Sequence, residues 1–369
     1  MTYDIAVLPG DGIGPEVVAQ AVRVLERIER VTGGEIAFRF EHHDAGADCW
    51  RRTGEAIADA AFAACRDADA ILFGSAGRPD VRHADGREVG GDVMFRLRFE
   101  LDLYAGVRPI RLYPGAPTPL REVGAGIDYV IVRENTEGLY ASRPGGSRVE
   151  GEVATDTSII TRLGTRRIAE RAFAIAEGRS GRPSDGASLV TSVDKANVLG
   201  SYAFFRSVVE GVAQDHPAVR LESVYVDAAA LYLVQRPQSF DVLVAENMFG
   251  DILSDLGAAT VGGLGLAPSG DIGDRHGLFQ ASHGSAPDIA GRGIANPIAT
   301  ILSAAMLLDW LGAQREDDTA RAAAKWVEKA VAAALADGSA LTADLGGSAG
   351  TIGAGGAVLR ALDAVATSA

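Results

Sequence analysis

The chain has 369 residues, 47% of them hydrophobic, enough for a substantial core in one large or two ordinary domains. A formal net charge of −14 argues against a nucleic-acid partner, which would want a basic face, and suits a soluble enzyme. The two cysteines, Cys49 and Cys65, have neither metal-ligand nor disulfide-framework spacing, the N-terminus has no basic-then-apolar leader, and the most apolar long stretch, 298–311, falls short of a bilayer span, so a cytoplasmic protein without a membrane partner is expected.

Ile5 to Leu8 reads as a buried strand. Pro15 then opens a helix whose positions Val17, Val18, Ala21, Val22, Leu25 and Ile28 follow the helical repeat. Between the two, Gly10-Asp11-Gly12-Ile13-Gly14-Pro15 resembles a dinucleotide fingerprint but misses its spacing, because the third glycine comes two residues after the second. A tight strand-to-helix turn is the simpler reading, with a phosphate over the turn's amides as the alternative. Further strands are expected at 71–73, 129–132, 189–193, 224–226 and 242–245. Helices are expected around 56–68, 165–177, 196–212, 228–234 and 298–311, the last stopped by Gly312. The stretch 179–187 reads as a polar loop, and 346–356 as a turn leading into a helix. This alternation predicts an α/β fold.

Several residues along this frame suit one chemistry. Asp251 and Asp255 stand four apart in Glu246-Asn247-Met248-Phe249-Gly250-Asp251-Ile252-Leu253-Ser254-Asp255. On a helix they share a face, and a hard cation such as Mg²⁺ or Mn²⁺ would relieve their repulsion. A dipole-stabilised helix start is the plainer alternative. Arg98, Arg108 and Arg133 lie in two neighbouring blocks, and three such forks suit a di- or tricarboxylate. Lys195 ends an apolar strand, where partial desolvation would make it a base, or Asp194 would simply pair with it. Asp227 is placed to cap a helix. The small-residue loop His283-Gly284-Ser285-Ala286-Pro287-Asp288-Ile289-Ala290-Gly291 allows a ligand close to backbone, and an acid in it could accept ribose hydroxyls.

Together these motifs resemble the β-decarboxylating dehydrogenase family of isocitrate, 3-isopropylmalate, homoisocitrate and tartrate/D-malate dehydrogenases, from the Gly10–Pro15 turn to Asp344-Leu345-Gly346-Gly347. The resemblance implies a two-domain isopropylmalate/isocitrate dehydrogenase-like α/β fold without a Rossmann unit. Residues 1–105 and 265–369 would form the cofactor domain, and 106–264 the central domain with the dimer interface. It further implies a homodimer with shared active sites. Lys195 and Asp227 would serve the partner's site, and the segment from about Tyr140 to Thr157 would clasp the partner. Arg98, Arg108 and Arg133 would hold the malate carboxylates; Asp251, Asp255 and Asp227 would ligate Mg²⁺ or Mn²⁺. Lys195 would take the 2-hydroxyl proton, and Tyr140 would protonate the enol carbon after loss of CO₂. His283, Gly284, Ala286 and Asn296, with Asn197, would line the cofactor. Asp288-Ile289, where NADP members carry a basic or phenolic pair, implies NAD.

Within this resemblance the run Gly91 to Leu97 bears on the substrate. Asp92 and Met94 replace the serine and asparagine typical of isocitrate enzymes, and Phe95 the arginine that homoisocitrate enzymes can carry. Met94 and Phe95 stand where isopropylmalate enzymes have two leucines, which implies a 3-alkyl substituent. Arg96, and the run Arg111 to Gly115, resemble the tartrate/D-malate branch, and a bulky Phe95 would also suit small malates. The expected reaction is therefore NAD-linked oxidative decarboxylation of 3-isopropylmalate or a similar 3-alkylmalate, with tartrate/D-malate next, then isocitrate or homoisocitrate. Intact Lys195, Tyr140, Asp227, Asp251 and Asp255 argue against a noncatalytic regulatory paralogue.

Overall fold

The computed structural model describes residues 1–142, 146–149 and 151–367. The chain divides into two compact units. One comprises Met1–Asp102, Tyr113–Pro117 and Gly262–Ala369; the other comprises Leu103–Leu112 and Thr118–Val261.

The first unit begins with β1 (Thr2–Gly10), α1 (Gly14–Val31), β2 (Ala37–His42), α2 (Ala47–Thr53), α3 (Asp59–Asp67), β3 (Ala70–Ser75) and α4 (Gly90–Glu100). The second contains β4 (Ala105–Arg111), β5 (Asp128–Glu134), α5 (Gly138–Ala141), β6 (Arg148–Val149), β7 (Val153–Ala154), α6 (Arg162–Gly178), β8 (Leu189–Asp194), α7 (Gly200–Ala213), β9 (Arg220–Tyr225), α8 (Val226–Gln235), β10 (Val242–Ala245) and α9 (Asn247–Thr260). The chain then completes the first unit with β11 (Pro268–Ile272), β12 (Gly277–Ala281), α10 (Ile298–Arg315), α11 (Asp318–Ala336) and α12 (Thr351–Thr367).

In the first unit the strands run β2-β1-β3-β12-β11, all parallel except β11. The hydrophobic run Ile5 to Leu8 is fully buried there, as a strand covered on both faces must be. In the second unit the order is β4-β5-β10-β8-β9, with β4 antiparallel and the rest parallel. Neither order is that of a Rossmann sheet. The α/β expectation therefore holds, and among the described residues no helix is long and apolar enough to cross a membrane.

Three local expectations change. Gly312 does not stop the last predicted helix: α10 runs on to Arg315 and ends where Glu316 turns left-handed at φ 51°. A Cβ at Gly312 would come within 2.6 Å of the Arg321 side chain, so the glycine serves the packing of α10 against the chain that follows. Val226 belongs to α8 rather than to the strand before it. Asp227 lies in the first turn of α8, and the residue at the cap is Tyr225. The expected clasp contains an antiparallel pair, β6 with β7, whose Val149 and Val153 are exposed; residues 143–145 and 150 of that segment lie outside the described residues.

Candidate active site

Helix α9 positions the carboxylate pair. It starts at Asn247 because the Glu246 side chain accepts the Met248 amide as an N-cap. Leu253 is buried, whereas Ile252 is 59% exposed, so the helix turns only part of its apolar residues to the core. Gly250 is where the helix passes the second arginine block: a Cβ there would lie 2.7 Å from the Arg133 Cβ.

Arg133, at the end of β5, is 2% exposed and almost fully bonded. Its Nε and Nη2 donate to Asn247 Oδ1 at 3.0 and 2.8 Å, and Nη1 donates to Asp251 Oδ1. Asn247 is itself fixed by donating to the Glu137 carbonyl at 2.8 Å. The other Asp251 oxygen accepts the Tyr140 hydroxyl at 3.3 Å, and the Arg133 guanidinium lies 5.5 Å from the Tyr140 ring centre. Burial and the Asp251 charge push the Tyr140 phenol up, so it stays protonated. One arginine, one phenol and one carboxylate therefore converge.

Asp255 keeps an exposed edge, yet burial and the Asp251 charge push its carboxyl up, against the pull of Arg108 and Arg133. That repulsion is what a divalent cation would remove, and a carboxylate has lone pairs left to ligate one while accepting other bonds. The pair fits a hard cation, but among the described residues of the single chain no three metal-ligating side chains gather. Asp227 is held elsewhere, 2.5 Å from Lys195 Nζ, and this bond draws its carboxyl down. Lys195 is thus paired with Asp227 rather than with Asp194. Asp194 is fully buried and is taken by Arg206 and the Ala196 amide.

Arg98 on α4 is buried, and its Nε donates to Asp271 of β11 at 2.9 Å. Arg108 on β4 is buried as well. Met94 and Phe95 are half-buried on α4, with the Phe95 ring stacked on Phe99 at 5.8 Å. Asn197 is exposed in the turn after Lys195.

The 283–291 loop sits on the glycine turn after β1. Ile13 N donates to Ser285 O at 2.8 Å, and a Cβ at Gly12 (φ 60°) would meet Ser285 O at 1.9 Å, so only glycine fits. The turn is not a phosphate cradle. Its Asp11, Ile13 and Gly14 amides are already bonded to backbone carbonyls. The Asp11 carboxylate, 1% exposed, accepts the amides of Ala47, Asp48 and Gly77. A phosphate beside that carboxylate would be repelled. In the loop, Gly284 and Asp288 are exposed, Ala286 takes φ 37°, and Ile289 packs on a cluster around Ile13 and Val17. His283 Nδ1 contacts Gly284 O at 2.9 Å, while its buried Nε2 has no hydrogen-bond partner among the described residues. Burial pushes the imidazole down, toward the neutral form. Asn296 is engaged on both sides, accepting Ile298 N and donating to Asp344.

Two features carry no signal in residue spacing: the grip of Asn247 on Arg133, across 114 positions, and that of Asp271 on Arg98, across 173. A third residue of interest is Glu134, which is 3% exposed. Burial pushes its carboxyl up to about 7, although Thr136 N and Oγ1 and Glu137 N all donate to it.

Comparison with known proteins places this arrangement. The family model described as isocitrate/isopropylmalate dehydrogenase matches residues 4–358. The chain is 44% identical over 354 residues to the 3-isopropylmalate/3-methylmalate dehydrogenase of Methanocaldococcus jannaschii, covering 95% of this chain and 96% of the relative. It is 44% identical over 366 residues to the 3-isopropylmalate dehydrogenase of Zymomonas mobilis, covering 97% and 99%. The crystal structure of isocitrate dehydrogenase from Methylococcus capsulatus superposes with a TM-score of 0.85 at 35% identity, over 98% of this chain and 99% of that one. The β-decarboxylating dehydrogenase of Thermococcus kodakarensis gives 0.78 at 38% identity, over 98% and 96%. The chain belongs to the isocitrate/isopropylmalate dehydrogenase family.

Proposed function

We propose that this protein carries out NAD- and Mg²⁺- or Mn²⁺-dependent oxidative decarboxylation of a 3-substituted (R)-malate, with 3-isopropylmalate or a close 3-alkylmalate as substrate, and that it works as a homodimer with shared active sites. The observation that carries this reading is the Asp251 carboxylate held between Arg133 and the protonated Tyr140, on the helix that also bears Asp255. The names of the relatives support the same substrate.

When bound, NAD would accept hydride from C2, and the cation, held by Asp251, Asp255 and the partner chain's copy of Asp227, would polarise the resulting ketone. Arg98, Arg108 and Arg133 bind the two malate carboxylates. The partner's copy of Lys195 takes the 2-hydroxyl proton, and Tyr140 returns a proton to the enol carbon once CO₂ has left. Met94 and Phe95 receive the apolar 3-substituent, which is worth a few-fold to about a hundredfold in discrimination. His283, Gly284, Ala286, Ile289, Asn296 and Asn197 line the dinucleotide. Asp288, exposed on its loop, accepts ribose hydroxyls and repels a 2′-phosphate. Exposed Leu231, Val234 and Ile252, on α8 and α9, give a homodimer apolar surface to bury.

A second reading, tartrate/D-malate oxidation, rests on the bulk of Phe95, which would fill a pocket for the 3-substituent. The test is a kcat/KM panel of 3-isopropylmalate, D-malate, tartrate, isocitrate and homoisocitrate with NAD and Mn²⁺. Preference for 3-isopropylmalate supports the first reading, and preference for D-malate or tartrate the second.

A further inference from the structure

We propose that Glu246 and Tyr202 are positioning residues, whose buried hydrogen bond ties the turn presenting Lys195 to the helix presenting Asp251 and Asp255. The inference rests on the roles proposed above for those three residues, and adds a device that fixes them relative to one another within one chain.

Glu246 is 2% exposed and Tyr202 4%. The Tyr202 hydroxyl donates to Glu246 Oε2 at 2.7 Å, while Oε1 accepts Met248 N at 2.7 Å and so caps α9. Gly138, two residues before Tyr140, leaves room for this carboxylate: a Cβ there would lie 2.7 Å from Oε1. A carboxylate so buried is costly unless its oxygens are fully hydrogen-bonded, and no ion pair to Glu246 occurs among the described residues. The phenol and the capped amide are therefore its compensation. The Tyr202 phenol is held well above its ordinary range by burial and by this bond, so it remains a donor. Its ring also stacks on Phe249 of α9, at 4.8 Å and 20°.

Both ends of the tie lead to the proposed chemistry. On the α7 side, Lys195 O accepts the amides of Val198 and Leu199, and Leu199 O accepts that of Tyr202, all at 3.1 Å. The bidentate bond between Asp194 and Arg206, at 2.8 Å in both arms, pins the start of this turn to α7. On the α9 side, Asn247 follows Glu246 directly and holds Arg133, which holds Asp251. Movement of Glu246 would reach both the base and the carboxylates. Under the dimeric reading those groups serve different active sites, so the tie links the two sites through each subunit.

Tyr202→Phe keeps the ring and removes the donor. The expected result is a rise of about tenfold in the half-saturating Mn²⁺ concentration, seen by direct Mn²⁺ titration and by turnover. A comparable fall in kcat is expected, with KM for the malate changed less than roughly twofold. Glu246→Gln alone should behave like the wild type, because its amide oxygen can accept Met248 N and its amide nitrogen can donate to the Tyr202 oxygen; Glu246→Ala alone should not. The Tyr202→Phe/Glu246→Ala double variant should be no worse than Glu246→Ala alone, the mark of one shared interaction. In hydrogen exchange, the amides of 194–199 and of 247–252 should both open faster in Tyr202→Phe. A variant that loses thermal stability but keeps wild-type Mn²⁺ affinity and kcat, or in which only one of the two segments exchanges faster, would overturn the proposal. Wild-type protein that oxidises no malate would instead overturn the function, and exchange together with Mn²⁺ titration would still decide the tie.

Discussion

Asp251→Asn separates the chemical role of the carboxylate pair from its structural one. In the wild type Asp251 accepts from buried Arg133 and from Tyr140, and its charge raises the Asp255 carboxyl. Loss of a hydrogen bond between charged groups costs about 1.5–3 kcal/mol. Against this, two carboxylates ~6 Å apart on a helix repel by about 3 kcal/mol at an effective dielectric of 20, and by less than about 1 kcal/mol in water. The two effects largely offset each other, and Arg133 keeps both bonds to Asn247. For 369 residues, unfolding entropy is about 0.8 kcal/mol per kelvin, so the metal-free variant should melt within about 2 °C of the wild type. Mn²⁺ at a hundred times its Kd stabilises the wild type by about 2.7 kcal/mol, a rise of about 3 °C in Tm that the variant should lack. Loss of several kcal/mol of Lewis-acid stabilisation should lower kcat about a thousandfold. Thermal melts with and without Mn²⁺, beside NADH formation, read all three quantities. A variant that keeps the Mn²⁺-dependent shift, or turns over at near the wild-type rate, refutes the ligand assignment.

Further outcomes are expected. If Lys195 and Tyr140 of one active site come from different chains, Lys195→Ala and Tyr140→Phe proteins should each be inactive, and subunit mixing should restore about a quarter of wild-type activity; no recovery in confirmed mixed dimers would contradict shared sites. Glu134, with its carboxyl raised to about 7, binds its proton more tightly folded than unfolded, so its contribution is intact below its ordinary pKa of 4.5 and lost as pH rises through 7. The stability advantage of wild type over Glu134→Gln should accordingly shrink from pH 5 to pH 8, and a difference independent of pH, measured by denaturant unfolding, would refute this. Asp288→Ala should narrow the preference for NAD over NADP by about tenfold in kcat/KM, through lost ribose bonding and lost repulsion; an unchanged ratio would remove Asp288 from the cofactor reading.

The parts of the fold that sequence conveys are those dominated by local rules. The strand around Val242–Ala245 and the helix after Pro15 follow from uninterrupted apolar runs and from regular apolar spacing. Strand β11, Pro-Ser-Gly-Asp-Ile, escapes such reading because it buries Asp271 completely, and Arg98, which donates to it, lies far away in the sequence. The helix expected after the 346–356 turn is α12, whose repeat Gly353, Gly355 and Gly356 obscure; at Gly355 the missing side chain admits Gln20 of α1, 2.4 Å from where a Cβ would stand. In the site, the spacing of Asp251 and Asp255 was enough to suggest a shared helix face. What spacing does not carry is long-range: the grip of Asn247 on Arg133, the pairing of Lys195 with Asp227 rather than Asp194, and the bond from Tyr202 to Glu246.

The proposed reaction is oxidative decarboxylation of a 3-alkylmalate with NAD and a divalent cation. Its most direct measurement follows NADH and CO₂ together, with purified protein, Mn²⁺, NAD and (2R,3S)-3-isopropylmalate. Equimolar NADH and CO₂ are expected, abolished by chelation of the metal, with turnover at least as efficient as with isocitrate, homoisocitrate, tartrate or D-malate. NADH without CO₂, or no NADH from any of these acids, would contradict it.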